Sequence, residues 1–255
     1  MSSLEARLRT LREHGRKALV PYFMAGSSPD WVHHVQAAVA GGADAIEIGV
    51  PFSDPMMDGV VVQQAGLRAL ERGTTLESVL HDLAAIDCDV PLIAMTYYNL
   101  FLHFGLERTA GRLRESGLSG AIVPDLSLEE SGEWCAACDN HDVATIFLAA
   151  PSTPQHRLRL IAARSRGFIY ASARMAVTGA ATDVGDAERV VTGLREETDT
   201  LLYVGIGITT PEQAARTADF ADGVIVGSAL VKVILDGASI TDVEAFIRTF
   251  RDALD

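Results

Sequence analysis

Residues 43–59 read ADAIEIGVPFSDPMMDG. An apolar, β-branched run of strand length carries one carboxylate, Glu47, and empties into a loop that holds two more, Asp54 and Asp58. Ile46 and Ile48 flank Glu47. In a strand successive side chains alternate between faces, so one face is apolar packing and the other holds Glu47. A buried, unpaired carboxylate is expensive and needs either a partner or a task. Pro51 and Pro55 stiffen the loop and Gly59 relieves it, after which VVVQQAGLRAL takes up helical spacing.

This strand–loop–helix unit recurs along the chain. Comparable runs are ALVPYF near 18, PLIAMTYY near 91, GAIVPD near 120, ATIFLAAP near 144, GFIYAS near 167, LLYVGIGI near 201 and GVIVGS near 223, making eight with AIEIGV near 45. Between them lie segments of helical period, among them PDWVHHVQAAVAGG, LESVLHDLAAI and PQHRLRLIAARS. The strand runs are continuously apolar, as in parallel strands covered on both faces. Eight such units without a composition break predict one (β/α)8 TIM barrel over residues 1–255. An extra amphipathic helix precedes it around Leu4, Leu8 and Leu11, and another closes it over 242–255. A doubly wound open sheet is the alternative, but VPYFMAGSSPD after the first strand carries no dinucleotide fingerprint.

Composition narrows the function. The 255 residues are 48% hydrophobic and 22% charged, with 21 basic against 34 acidic side chains and a formal charge of −13. A chain so acidic repels nucleic acid and anionic membrane. Nothing resembles a signal peptide or a membrane span, and three cysteines cannot all pair within the chain, so the cytoplasm is expected. The pair Cys135 and Cys138 in CAAC, with His141, lacks the further ligands of a zinc site, and no metal is expected.

In a barrel of this kind catalytic groups sit at the C-terminal ends of strands. Tyr22, Glu47, Tyr97, Asn99, Asp125 and Tyr170 occupy those ends. Glu47 is either a carboxylate satisfied by its neighbours or an acid-base group whose proton affinity is raised by apolar surroundings. Asp58 is either a helix cap or a site residue. Glycines in VGIGI and VGSALVK follow the last two strands, and Ser228 opens a helix whose N-terminus attracts an anion, which predicts a phosphorylated substrate. The long segment ASARMAVTGAATDVGDAE after the sixth strand reads as a lid.

Taken together, EIGVPFSDPMMDG, LVPYFMAG, MTYYN, VPDLSLEES, IYASARMAVTG, VGIGITTPEQA and ADGVIVGSALVK make the chain resemble the α subunit of tryptophan synthase nearly end to end. That resemblance implies aldol cleavage of indole-3-glycerol phosphate to indole and glyceraldehyde 3-phosphate, with no cofactor. It makes Glu47 the acid and base, Asp58 the acceptor of the indole N–H and Tyr170 their neighbour. Tyr22, Met95, Tyr97, Leu126 and Phe147 become candidates for the indole slot, and Gly179, Gly207, Gly227 and Ser228 for the phosphate. Thr178 would couple to Asp58 on lid closure. Asp54, Pro55 and Met56 would meet a β chain, a pyridoxal phosphate enzyme, in an α2β2 complex.

Two positions depart from the family pattern. Val60 stands where a proline usually follows DG, and Ala176 where a glycine usually precedes VTG. Alanine at a positive φ costs roughly 1 kcal/mol. Neither position touches Glu47 or Asp58. They motivate one alternative, a stand-alone lyase that releases free indole. A non-catalytic subunit that only activates a β chain is another. A Schiff-base aldolase is disfavoured because Lys17 and Lys232, the only lysines, lie at a strand start and inside the last helix.

Overall fold

The computed structural model describes residues 3–172, 184–205 and 207–255. Thr178, Gly179 and Ala176 lie outside the described residues. The strands are β1 (Ala18–Met24), β2 (Ile46–Gly49), β3 (Leu92–Met95), β4 (Leu118–Ile122), β5 (Ala144–Ile146), β6 (Leu148–Ala149), β7 (Phe168–Ser172), β8 (Leu201–Gly205) and β9 (Gly223–Val226). All their pairings are parallel, in the order β5-β4-β3-β2-β1-β9-β8-β7-β6. β5 and β6 are separated by Phe147 alone, whose carbonyl accepts the N–H of Tyr170 at 3.0 Å. The ring is therefore the expected eight-stranded barrel, with its fifth strand broken at one residue.

The helices follow their strands: α1 (Ser3–Glu13), α2 (Trp31–Ala40), α3 (Val60–Glu71), α4 (Leu76–Ala84), α5 (Tyr98–Phe104), α6 (Leu106–Glu115), α7 (Gly132–Asn140), α8 (Gln155–Arg164), α9 (Val184–Arg195), α10 (Pro211–Ala218), α11 (Ser228–Leu235) and α12 (Ile240–Leu254). Local chemistry sets several of their starts. Thr75, Thr210 and Ser239 each form a capping box with the residue three positions on. Pro211 pre-sets the backbone of α10 at its first position.

Alternation along the strands divides the core in two. Leu19 and Phe23 of β1, with Ile46 and Ile48 of β2, pack outward against the helices. Val20, Ala45, Ile93, Ile122, Phe168, Leu201, Tyr203 and Ile225 fill the barrel interior, where Leu4 and Leu8 of α1 join them. The N-terminal helix thus plugs the barrel at one end and leaves the other for a site. Glu47 has the parity of Ala45, not of Ile46, and belongs to the interior.

The closing helix is tied down by charge. Asp44, just before β2, accepts from Arg16 Nε at 2.7 Å, from the Leu19 N–H at 2.9 Å and from Arg251 Nη1 of α12 at 2.9 Å. Arg251 also donates to the carbonyl of Lys17 at 3.0 Å and pairs with Asp255 at 2.8 Å. Among the described residues no helix is long and apolar enough to cross a membrane.

Candidate active site

At the C-terminal end of the barrel a cavity of about 680 Å³, counting its open mouth, is lined by Tyr22, Glu47, Met57, Asp58, Val62, Met95, Pro124, Leu148, Tyr170, Gly207, Ile208, Ile225, Gly227 and Ser228. Eight of the residues singled out by sequence therefore meet in one place: Glu47, Asp58, Tyr170, Tyr22, Met95, Gly207, Gly227 and Ser228. Strand register explains the convergence. Tyr22 pairs with Glu47, Gly49 with Met95, and Leu148 with Tyr170, so these side chains share the inward face.

Glu47 is 1% exposed, and its Oε2 has no hydrogen-bond partner among the described residues. Burial, and secondarily the charge of Asp58, push its carboxyl up from the ordinary 4.5 to about 8. Asp58 is half-buried. Burial raises it to about 6, against a hydrogen bond from Tyr97 that favours its ionised form. At neutral pH the two carboxyls hold different charge states, Glu47 protonated and Asp58 ionised. Two such groups pushed apart by their surroundings are the arrangement an acid and an anion acceptor need. They titrate as a pair, because each charge raises the cost of the other.

The two tyrosines are placed by glycines on neighbouring strands. A Cβ on Gly49 would lie 2.0 Å from the Tyr22 hydroxyl, and one on Gly205 would lie 2.0 Å from that of Tyr170. Only a bare backbone lets each phenol lie flat across the adjacent strand and reach the cavity. Burial, with the carboxylates of Asp58 and Glu47 nearby, holds both hydroxyls well above the usual phenol range, so they remain neutral.

The opposite wall carries two glycines and the Ser228 hydroxyl. Gly207, at φ +98°, follows β8. Gly227 precedes α11 without a side-chain cap, leaving its first-turn N–H groups for another acceptor beside the Ser228 hydroxyl.

Some expected residues lie elsewhere. Leu126 and Phe147 pack in the layer between sheet and helices and are not among the residues lining the cavity. Phe147 sits at the break between β5 and β6, and its neighbour Leu148 lines the site instead. Tyr97 is 3% exposed but also does not line the cavity. The third strand ends at Met95, and Tyr97 is the residue before α5. Asp125 is a structural acceptor there, taking the Tyr98 N–H at 2.9 Å. Asp58 does not cap α3, whose cap position is Gly59 with no side-chain bond. Val62 and Met57 were not singled out by sequence, since neither belongs to a strand. Ile225, inward between Gly223 and Gly227, was legible from alternation alone.

In the loop after β2, Asp54 and Met56 are exposed and Pro55 is half-buried. Ser53 Oγ donates to Asp54 at 2.6 Å. Met56 is 70% and Val60 65% exposed, and Phe52, Pro55, Val60, Leu67 and Leu70 line an adjoining groove. Cys88, Cys135 and Cys138 are free thiols, and no group of three or more metal-ligating side chains occurs among the described residues. Lys17 Nζ donates to the Ala221 carbonyl and Lys232 pairs with Asp236, so neither amine belongs to the site.

Comparison with known proteins agrees with this geometry. The family model for the tryptophan synthase alpha chain matches residues 8–253. The tryptophan synthase alpha chain of Methanosarcina mazei is 43% identical over 235 residues, covering 91% of this chain and 86% of that one. That of Laribacter hongkongensis is 43% identical and covers 100% of both chains. Among solved structures, Mycobacterium tuberculosis tryptophan synthase superposes with a TM-score of 0.93 at 36% identity, covering 99% of this chain and 98% of that one. The tryptophan synthase subunit alpha of Legionella pneumophila gives 0.91 at 32% identity, covering 100% and 99%. With a parallel barrel, a cavity at one mouth, and matches running through nearly its whole length, this chain belongs to the tryptophan synthase alpha chain family.

Proposed function

We propose that Glu47 and Asp58 divide the work of the family's reaction, the cleavage of indole-3-glycerol phosphate to indole and glyceraldehyde 3-phosphate. The observation that carries this reading is the pair of carboxyls in one cavity with proton affinities on opposite sides of neutrality. Protonated Glu47 gives its proton to indole C3. The positive charge that develops on the ring is stabilised by ionised Asp58 accepting the indole N–H. The C3 to glycerol carbon bond then breaks, its electrons returning to the ring. The now ionised Glu47 takes the proton of the adjacent glycerol hydroxyl as that carbon becomes the aldehyde. The proton balance closes on Glu47, and no cofactor is consumed.

Tyr22, Met95 and Leu148 supply apolar walls for the ring, while Gly207, Gly227 and Ser228 receive the phosphate through N–H groups and a hydroxyl. Tyr170 stands beside Glu47. Thr178 and Gly179, outside the described residues, are further candidates for the substrate. Support for a β chain as partner comes from the exposed Asp54 and Met56 and the half-buried Pro55, continuous with the apolar groove at Val60 and Leu67. The complex we propose is α2β2, and the free thiols fit a reducing cytoplasm.

The test is the rate of glyceraldehyde 3-phosphate release by the purified chain, with and without a tryptophan synthase β subunit. Slow cleavage that rises at least tenfold with the β chain is the expected result (on the scale of an allosteric coupling). Fast cleavage indifferent to the β chain would make this a stand-alone lyase. Absence of cleavage in both would refute the reading.

A further inference from the structure

Tyr22 carries a polar atom that the cleavage described above leaves without a task. The side chain is 5% exposed and lines the cavity. Its ring is held in a buried cluster with Met24, Val62 and Ala65, against which Met95 packs. Two close neighbours give the direction of the phenol. At its root, a Cβ on Gly227 would lie 3.8 Å from the Tyr22 Cβ, and at its tip a Cβ on Gly49 would lie 2.0 Å from the hydroxyl. The phenol therefore runs across the barrel mouth, from the glycine before α11 to the end of β2. Among the described residues no hydrogen bond reaches the hydroxyl. A buried phenol O–H ordinarily has a partner.

Strand register says what the partner is near. Tyr22 and Glu47 pair across β1 and β2, and Gly49 is the next residue of β2 on the face of Glu47. Two residues of strand rise put the hydroxyl roughly 7 Å beyond the Glu47 Cα, toward the open mouth. One small group of a bound substrate can then meet both the Glu47 carboxyl and the hydroxyl. Tyr170, the other phenol in the cavity, lies across Gly205 of β8, which β9 and β1 separate from β2. Tyr22 is thus the phenol whose tip stands on the strand of Glu47.

We infer that the Tyr22 hydroxyl is a further catalytic group, donating a hydrogen bond to the glycerol oxygen from which Glu47 takes the proton. The inference rests on the cleavage proposed above. As the C3 to glycerol carbon bond breaks, that oxygen gives its proton to Glu47 and becomes the aldehyde oxygen. Tyr22 keeps its own proton, and its O–H meets the partial negative charge that the oxygen carries on the way. Because packing has already set the phenol, the donor needs no reorganisation at the moment of reaction. The face of the same ring remains an apolar wall.

Tyr22→Phe removes the hydroxyl alone and keeps the ring in its cluster. With the full-length chain at neutral pH, kcat for cleavage of indole-3-glycerol phosphate is expected to fall by about 10²-fold, with KM changed by less than about twofold. An indole bearing a phosphate on a three-carbon chain without hydroxyls lacks the oxygen in question, and it should bind wild type and variant equally. A loss of its affinity as large as the loss of kcat would overturn the inference, because the hydroxyl would then serve the ring or the fold. An unchanged kcat in the variant, beside an active wild-type chain, would overturn it and leave the cleavage reading intact. A wild-type chain that cleaves nothing would refute both.

Discussion

Glu47→Gln is expected to lower cleavage of indole-3-glycerol phosphate by about 10²–10⁴-fold, the range of a lost general acid-base group. The amide keeps the shape and burial of the side chain but can neither give a proton to indole C3 nor take one from the glycerol hydroxyl. The same substitution has an opposite effect on stability. Glu47 is held at about 8 in the fold against an ordinary 4.5. A raised carboxyl favours the fold below the unfolded value, and that contribution is lost as pH rises to the folded one. The wild-type chain therefore loses stability between pH 4.5 and about 8 as the unfolded state ionises first. Glu47→Gln lacks this slope. Above pH 8 the variant should be the more stable protein, by an amount on the order of 5 kcal/mol. Denaturant unfolding at several pH values checks this. Parallel stability curves for the two proteins would mean that Glu47 ionises as an ordinary surface carboxyl does.

The second large effect is expected at the other end of the barrel. Arg251 and Asp44 have side chains only 7% and 6% exposed, and their contact joins α12 to the strand starts of β1 and β2. Arg251→Met keeps the aliphatic stem but leaves Asp44 with Arg16 and one N–H. Stranding a buried charge costs about 3–5 kcal/mol, and the low end applies here because Arg16 remains. For a chain of this size, about 3 kcal/mol lowers Tm by roughly 6–12 °C. Adding Asp44→Leu to Arg251→Met should restore part of the loss, because no unpaired charge is then buried. A Tm unchanged by Arg251→Met would show that α12 is held by its apolar face alone.

The architecture was legible because its signal is repetitive. Eight continuously apolar runs alternating with helical periods admit few topologies, and of the stripe Val243, Phe246, Ile247 and Phe250 that the sequence shows on α12, Val243, Ile247 and Phe250 are buried while Phe246 is only partly so. Side-chain direction within a unit was less legible, for a physical reason. Strands covered on both faces show no polar alternation, so parity has to come from where each strand stops. Reading MTYY as strand puts Tyr97 on the same face as Met95, but the chain leaves the sheet after Met95 and the rule of two lapses. Reading ATIFLAAP as one strand hides the break at Phe147, which moves the cavity contact to Leu148. For Glu47 the flanking Ile46 and Ile48 separate its face from theirs without saying which is inward, and the direction comes from the packing of Ile46 and Ile48 against the helices. Gly49 and Gly205 illustrate the limit of local reading: neither lies near its tyrosine in sequence, and each makes room for one from the adjacent strand.

Val60 is 65% exposed at the first position of α3, beside the proposed partner surface and away from Glu47. Its difference from the family pattern therefore falls on the exposed face proposed for a β chain, outside the residues lining the cavity.

The most direct test of the central claim, that Glu47 enters the reaction protonated opposite an ionised Asp58, is the pH dependence of kcat/KM for cleavage of indole-3-glycerol phosphate by the full-length chain. Substrate phosphate titrates near the acidic limb, with a second pKa of about 6, so the alkaline limb is the diagnostic one. The account predicts a rate that falls above about pH 8, as Glu47 loses the proton it must donate. A rate that stays level or rises through pH 9 would contradict it.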